Sequence, residues 1–174
     1  MNPSQLYSFF SDKYIWFVPV LKCFRKVYED QGHGMEEIDY QEALGSAFSQ
    51  AGINHYAELN IIQKYMGRKI GRKRLDFMIE NEAIIETKAL KTELTEDHLR
   101  QIHNYLNQTN IKFGILVNFP KSYQTTLSIV IIFHNEEKET PEKTPWKSFT
   151  FRLPAVPNIK HKLEFLGKTL ISID

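Results

Sequence analysis

Cysteine is almost missing from this chain: Cys23 is the only one in 174 residues. An intramolecular disulfide is therefore excluded, and so is a zinc site built on cysteine thiolates. A reducing compartment fits that usage. Membrane-spanning hydrophobic runs are missing too. The apolar stretch Tyr14 to Leu21 falls well short of the roughly 20 residues that cross a bilayer. It has neither a basic leader nor a small-residue cleavage site and does not read as a signal peptide, so a cytoplasmic protein without a membrane partner is expected. Charge of one sign is not in excess: 22 Lys and Arg against 21 Asp and Glu leave a formal net charge of +1. No Gly-rich phosphate loop, dinucleotide fingerprint or serine nucleophile elbow occurs. The histidines, His33, His55, His98, His103, His134 and His161, have no zinc-protease spacing. Of these, only His98 is expected near the site described below.

What is present describes an ordinary globular chain. Hydrophobic residues make up 42% and charged residues 25%, which excludes a disordered protein. The length predicts one domain spanning residues 1–174 with a sizeable core. Aromatic residues, at 13%, are plentiful and concentrate toward the two ends.

Along the chain, residues from about Gln5 to Asp30 read as helical, with a kink or break at Pro19. Gln31-Gly32-His33-Gly34 is a breaker, and a second helix is expected from about Met35 to Gln50. β-Type residues dominate His55 to Tyr65 and Lys69 to Ile79, joined by a turn around Met66-Gly67-Arg68. A third strand covers Ala83 to Ala89. Thr95 then caps a helix to about Gln108, with Glu96 and Asp97 in its first turn. A fourth strand, Phe113 to Phe119, ends at Pro120. The order of helix, three strands, helix and strand predicts an α/β core with a mixed sheet. Two further β-prone runs follow, Thr125 to Phe133 and Ser148 to Leu153. Between them the charged, proline-bearing segment Asn135 to Pro145 reads as a mobile loop. No internal repeat occurs.

Chemistry concentrates between Arg74 and Lys88. Asp76 sits in one apolar strand, and Glu86 and Lys88 lie two apart in the next. Alternation puts Ile84, Glu86 and Lys88 on one face. A strand this apolar is normally buried, and an ionised group in it needs a partner or a metal. Two carboxylates can hold a hard divalent cation, and a neighbouring ammonium can stabilise charge on an attacked phosphate. A surface hairpin with a cross-strand Glu–Lys pair would show the same bare spacing. Register separates the two. A two-residue turn at Asn81-Glu82 would set Asp76 opposite Thr87, on the wrong face, whereas a three-residue turn or a bulge brings Asp76 onto the Glu86 face. An irregular hairpin is therefore predicted.

Three further groupings flank this one. On the second helix Glu37, Tyr40, Leu44 and Phe48 share a face, so Glu37 is either a further metal ligand or a first-turn acid favouring the helix dipole. On the next helix Leu99, Ile102 and Leu106 form an apolar stripe beside a polar one of His98, Gln101, Tyr105 and Gln108. Gln101 and Tyr105 would present an amide and a phenol to one spot, suited to a phosphate or a metal-bound water; the alternative is a solvated face with a half-buried tyrosine. Finally Lys64, Arg68, Lys69, Arg72, Lys73 and Arg74 form a basic hairpin running into Asp76. Such a cluster attracts phosphates and points to nucleic acid as partner.

Gly32 to Leu44, with Gly34-x-x-Glu37-x-x-Tyr40 inside it, resembles the signature of the GxxExxY proteins, a branch of the PD-(D/E)xK nuclease superfamily. The similarity continues through Tyr65 to Gly71, Arg74-Leu75-Asp76, Ile85 to Ala89, His98 to Leu106 and Gly114 to Phe119, covering roughly Phe24 to Phe119. It implies a restriction-endonuclease-like αβββαβ core at about 24–120, with 121–174 as an additional C-terminal β-rich segment. It implies a site of Asp76, Glu86, Lys88 and Glu37, with Gln101 and Tyr105 resembling a Q-x-x-x-Y element. The expected protein is a Mg²⁺- or Mn²⁺-dependent nuclease acting on DNA ahead of RNA. Asp76, Glu86, the Thr87 carbonyl and Glu37 would serve the metal, Lys88 the water or the pentavalent phosphate, and Gln101 and Tyr105 the scissile phosphate. The rival readings are a non-catalytic nucleic-acid-binding or regulatory module on the same fold, and an interaction protein. The N-terminal helix and the C-terminal segment are the candidate surfaces for a homo-oligomer or a protein partner. The segment after Pro120 departs from the family pattern.

Overall fold

The computed structural model describes residues 3–134 and 146–158. The segment expected to be a loop, Asn135 to Pro145, lies outside the described residues, as does the chain beyond Asn158. The elements in order are α1 (Pro3–Lys13), α2 (Phe17–Gln31), α3 (Glu37–Gln50), β1 (His55–Tyr65), β2 (Arg68–Ile79), β3 (Ala83–Lys88), α4 (Glu96–Gln108), β4 (Phe113–Asn118), β5 (Thr126–His134) and β6 (Trp146–Pro154). Among the described residues no helix is long and apolar enough to cross a membrane.

The N-terminal helical region breaks earlier than Pro19. α1 ends at Lys13 and α2 starts at Phe17, with Tyr14 to Trp16 turning between them. Pro19 falls in the first turn of α2, where no intrahelical partner exists for its missing N–H. The aromatic N-terminus is divided: Tyr7 and Phe9 stay exposed, while Phe10, Trp16 and Phe17 enter the core. Phe10 is 1% exposed and its ring meets Phe113 and Phe133 edge-on, while Trp16 and Phe17 also pack against Phe113.

The strands form one six-stranded mixed sheet in sequential order, β1 to β6. Only β3 and β4 are parallel, because α4 carries the chain back between them. All six residues of both β3 and β4 are buried, as a centre covered on both faces requires. One face packs on α1, α2 and α3 through Phe10, Val20, Phe24, Leu44, Phe48, Ile85, Ile115 and Val117. The other packs on α4 through Ile84, Leu116, Ile102, Tyr105 and Leu106. Gly114 permits close approach there, since a Cβ on it would lie 3.2 Å from Leu106 Cδ1. The β-rich tail completes the sheet: β5 pairs along the whole of β4, and β6 along β5.

The β2–β3 connection is irregular, as the spacing predicts. Ile79 pairs with Ala83, leaving Glu80, Asn81 and Glu82 as a three-residue turn. Glu80 and Asn81 have φ of 51° and 56°, and Glu80 is anchored at both N and Oε1 to the backbone of Asn54.

A second irregularity was not expected. Ala57 and Phe77, cross-strand partners, border the α3 side, whereas Leu59 and Leu75, the next pair, pack on the α4 side. Residues two apart in a strand normally share a face. Both strands therefore turn over between these pairs, at Glu58, whose φ is 55°, and at Asp76 facing it.

Candidate active site

The site forms where β2 leaves β3. Their ladder runs Ile79 to Phe77 against Ala83 to Ile85, and the same register carried one step further sets Asp76 opposite Glu86. There the backbone ladder stops and the Asp76 carboxylate takes over. Its Oδ2 accepts from the Thr87 N–H at 2.7 Å and from Thr87 Oγ1 at 2.6 Å. The Thr87 hydroxyl in turn accepts from Gln41 Nε2 of α3 at 3.0 Å.

Glu86 is 2% exposed. Its Oε1 accepts from Lys88 Nζ at 2.7 Å and from Gln101 Nε2. Its Oε2 is buried with no hydrogen-bond partner among the described residues, which for a carboxylate oxygen is costly. Burial, and then the charge of Asp76, push the Glu86 carboxyl up to about 7 although Lys88 pulls the other way. Burial is the largest single influence and opposes the Lys88 charge, but the charge and hydrogen bond of Glu86 together with the charges of Glu37 and Asp76 outweigh it. The ammonium is thus held above its ordinary value.

Glu37 opens α3 and lies with its Oε1 3.9 Å from Lys88 Nζ. Its carboxyl is raised, by burial first; Lys88 opposes the rise and Asp76 adds to it. The helix starts there because Glu36 and Asp39 form a capping box. Gly34, at φ 89°, makes the turn leading into it. Tyr40 on the same face is fully buried, stacks on Phe119 at 4.4 Å and donates to the Gly32 carbonyl at 2.7 Å. The helix is thereby bound to the end of β4.

Gln101 and Tyr105 face the site from α4, as the i, i+4 spacing predicts, and both are engaged internally. Gln101 Nε2 reaches Glu86 Oε1 and, at 3.0 Å, Tyr105 Oη; the Tyr105 hydroxyl donates to the Arg74 carbonyl at 3.1 Å. His98 is elsewhere. Its Nδ1 accepts from the Thr95 N–H at 3.0 Å in the capping box of α4, so the helix start claims it rather than the site.

The basic hairpin is exposed. Lys64, Arg68, Lys69, Arg72 and Arg74 are open to solvent and Lys73 is half-buried. Arg74 pairs with Glu58 at 3.1 Å. A cleft of about 320 Å³ adjoins Asp76 between α3 and the strands, lined by Ile38, Gln41, Glu42, Gly45, Ala57 and Glu58.

Sequence reasoning did not single out three residues at this site. Gln41 stands one turn after Glu37, a signal that was readable. Asn118 accepts from the Leu90 N–H at 2.9 Å and donates to the Thr92 carbonyl, shaping the exit from β3. Lys121 Nζ donates to the Met35 carbonyl and Glu36 Oε1, both at 2.8 Å, fastening the start of α3. Neither of these has a local sequence signal.

The donor set has the chemistry of a hard-cation site. It offers carboxylate oxygens, one of them buried and unpartnered, with no soft ligand. Among the described residues no three acidic, His or Cys side chains converge closely enough to enclose a metal alone. Mg²⁺ asks for less, since one or two protein carboxylates suffice while waters fill the other positions.

Comparison with known proteins identifies the family. The family model for the PD-(D/E)XK nuclease superfamily matches residues 16–130. No curated protein and no solved structure matches the chain. The matched span runs from the break before α2 into β5, taking in both carboxylate strands, α4 and the first of the two strands that complete the sheet. On that match, which covers well over half its length, the chain belongs to the PD-(D/E)XK nuclease superfamily.

Proposed function

We propose that the protein is a Mg²⁺- or Mn²⁺-dependent nuclease of the GxxExxY branch, hydrolysing phosphodiester bonds in DNA ahead of RNA. One observation carries the reading: the buried, unpartnered Oε2 of Glu86, with Asp76 across from it and Lys88 bonded to its other oxygen. An apolar strand has no structural need of such a group. Asp76, Glu86 and the Thr87 carbonyl hold the cation, and Glu37 contributes through a water or a second ion. When bound, the ion supplies a water of lowered pKa and neutralises charge on the phosphate.

The protein's own groups do the rest. Lys88, between Glu86 and Glu37, keeps its proton and places a positive charge beside the attacked phosphate. Gln101 and Tyr105 have their polar atoms on Glu86 and on the backbone of Arg74. They act on the phosphate through Glu86, by fixing its orientation, and so are positioning residues. Lys64, Arg68, Lys69, Arg72, Lys73 and Arg74 bind the nucleic-acid backbone.

The test is cleavage of single- and double-stranded DNA and RNA with Mg²⁺, Mn²⁺ or EDTA. Wild type is compared with Asp76→Ala and Lys88→Ala. The expected result is metal-dependent cleavage that drops at least about a hundredfold in either variant. Cleavage that survives EDTA or both substitutions sinks the proposal. Metal-indifferent binding without cleavage would favour a binding-only module.

A further inference from the structure

From Leu59 to Leu75 the chain carries Lys64, Arg68, Lys69, Arg72, Lys73 and Arg74 and no acidic residue. Of these cations only Arg74 is ion-paired among the described residues. Among the described residues this part of β1 and β2 has no third strand beside it, because β3 pairs with β2 only from Ile79 to Phe77. It is a two-stranded ribbon, held at its root by Leu59, Ile61 and Leu75 against α4.

The ribbon's tip is apolar. Tyr65 pairs with Arg68, which leaves Met66 and Gly67 as a two-residue turn with φ of 46° and 77°. Left-handed conformation at both positions is the type I′ turn, where asparagine followed by glycine is favoured. Methionine adopts it only against steric cost. Met66 is nevertheless 87% exposed, with Tyr65 at 66% and Ile70 at 65%. An apolar side chain held outward at the end of an all-basic arm, in a conformation it disfavours, contributes nothing to this fold.

We propose that the arm lies along a groove of duplex nucleic acid, with its lysines and arginines on the phosphates, and that Met66, backed by Tyr65, inserts between bases and opens a stack. Methionine is among the side chains suited to such a wedge, and the energy of unstacking is recovered in extra backbone contact. A two-stranded ribbon can lie in the minor groove, the side from which such wedges enter the stack. The arm leads straight back to Asp76, and the ten residue steps from Met66 to Asp76 span about 30 Å as a strand. That is close to the roughly 34 Å of one duplex turn. The opened step and the cut phosphate therefore stand about one turn apart. The inference rests on the nuclease reading for its biological sense but not for its test.

The experiment uses duplex DNA with 2-aminopurine tiled along one strand, in EDTA so that binding is seen without cleavage. Wild type should raise the fluorescence at one step, with affinity falling steeply with salt. If Lys64, Arg68, Lys69, Arg72 and Lys73 all reach phosphates, the log–log slope is about −4.5. Met66→Asn relieves the turn and keeps every charge, so it should fold at least as well and keep the salt slope. It should bind roughly tenfold more weakly and leave the bases stacked. An equal fluorescence rise with Met66→Asn overturns the wedge, as does wild-type binding with no rise at any position. In the parallel metal-dependent assay, cleavage without duplex binding rejects the wedge and spares the nuclease. Unstacking by wild type that Met66→Asn abolishes, together with inactivity on every substrate, does the reverse.

Discussion

Substituting Glu86→Gln keeps the shape of the side chain and removes its proton chemistry. In the metal-free protein the Glu86 carboxyl is raised from 4.5 to about 7, by burial first and by Asp76 second. A carboxyl whose folded value lies above its unfolded one stabilises the fold at low pH. That contribution is complete below about 4.5 and is lost as pH rises through about 7. At about 1.4 kcal/mol per pH unit, ionising Glu86 costs the fold about 3 kcal/mol by pH 8. Glutamine has no such descent. It carries its own cost, because an amide N–H₂ replaces the orphaned Oε2; the attraction of Lys88 for the ionised carboxylate is already contained in the value of about 7. That cost, about 1–3 kcal/mol, is the same throughout the window. Glu37 and Asp76 remain in both proteins. The prediction is therefore a slope rather than an offset: wild type loses about 2.5 kcal/mol relative to Glu86→Gln between about pH 5 and pH 8. Urea unfolding in EDTA at each pH measures it. A difference constant to within about 0.5 kcal/mol, or wild type gaining as pH rises, would refute the assignment of a strained carboxyl at this position.

Two further outcomes follow from the same geometry. At alkaline pH, Mg²⁺ at a hundred times its dissociation constant should stabilise wild type by about 2.7 kcal/mol; thermal unfolding of Glu86→Gln should show little of that gain, and equal gains would remove Glu86 from the metal site. Lys121→Met should unfasten the start of α3, where Lys121 holds Met35 and Glu36. Cleavage should then fall roughly tenfold through kcat with the fold intact, and Lys121→Arg should restore it; wild-type activity in Lys121→Met would make the contact incidental.

Much of this architecture is legible from local pattern. β1 and α4 carry their boundaries in β-rich composition and in the Thr95 cap. The spacing of Asp76 and Glu86 calls for a three-residue turn or a bulge, and the hairpin closes with the three-residue turn. Composition points to Pro19 for a break that falls at Tyr14 to Trp16, because proline in a first helical turn carries no penalty that composition can reveal. Lys121 and Asn118 were passed over for a different reason. Their partners, Met35 and Leu90, are neighbours only once β4 lies beside β3. The turnover at Glu58 and Asp76 has no sequence signature either. It shows only when Leu59 and Leu75 are seen on α4 while Phe77 faces α3.

That turnover also says what the tail beyond Pro120 is for. Among the described residues the non-glycine ones at positive φ, Glu58, Met66, Glu80 and Asn81, all lie in β1, β2 and their turns. Three of them surround the Asp76–Glu86 register, where a buried carboxylate oxygen also goes unpaired. Each costs of order 1 kcal/mol or more, and only a rigid neighbour makes that tolerable. β4 is such a neighbour because β5 pairs with all six of its residues, Phe113 to Asn118. Leu127, Ile129, Val130, Ile131 and Ile132 from β5 are buried in the two cores, and Phe133 closes on Phe10. We therefore read the chain as one domain. At about 2 kcal/mol for each of those five side chains, deleting β5 and β6 removes about 10 kcal/mol, comparable with the whole stability of a domain this size. A chain ending at Ser122 should give no cooperative thermal transition and no protection of β3 amides from hydrogen exchange. If it folds and cleaves, the core up to β4 stands alone and the tail is an appendage.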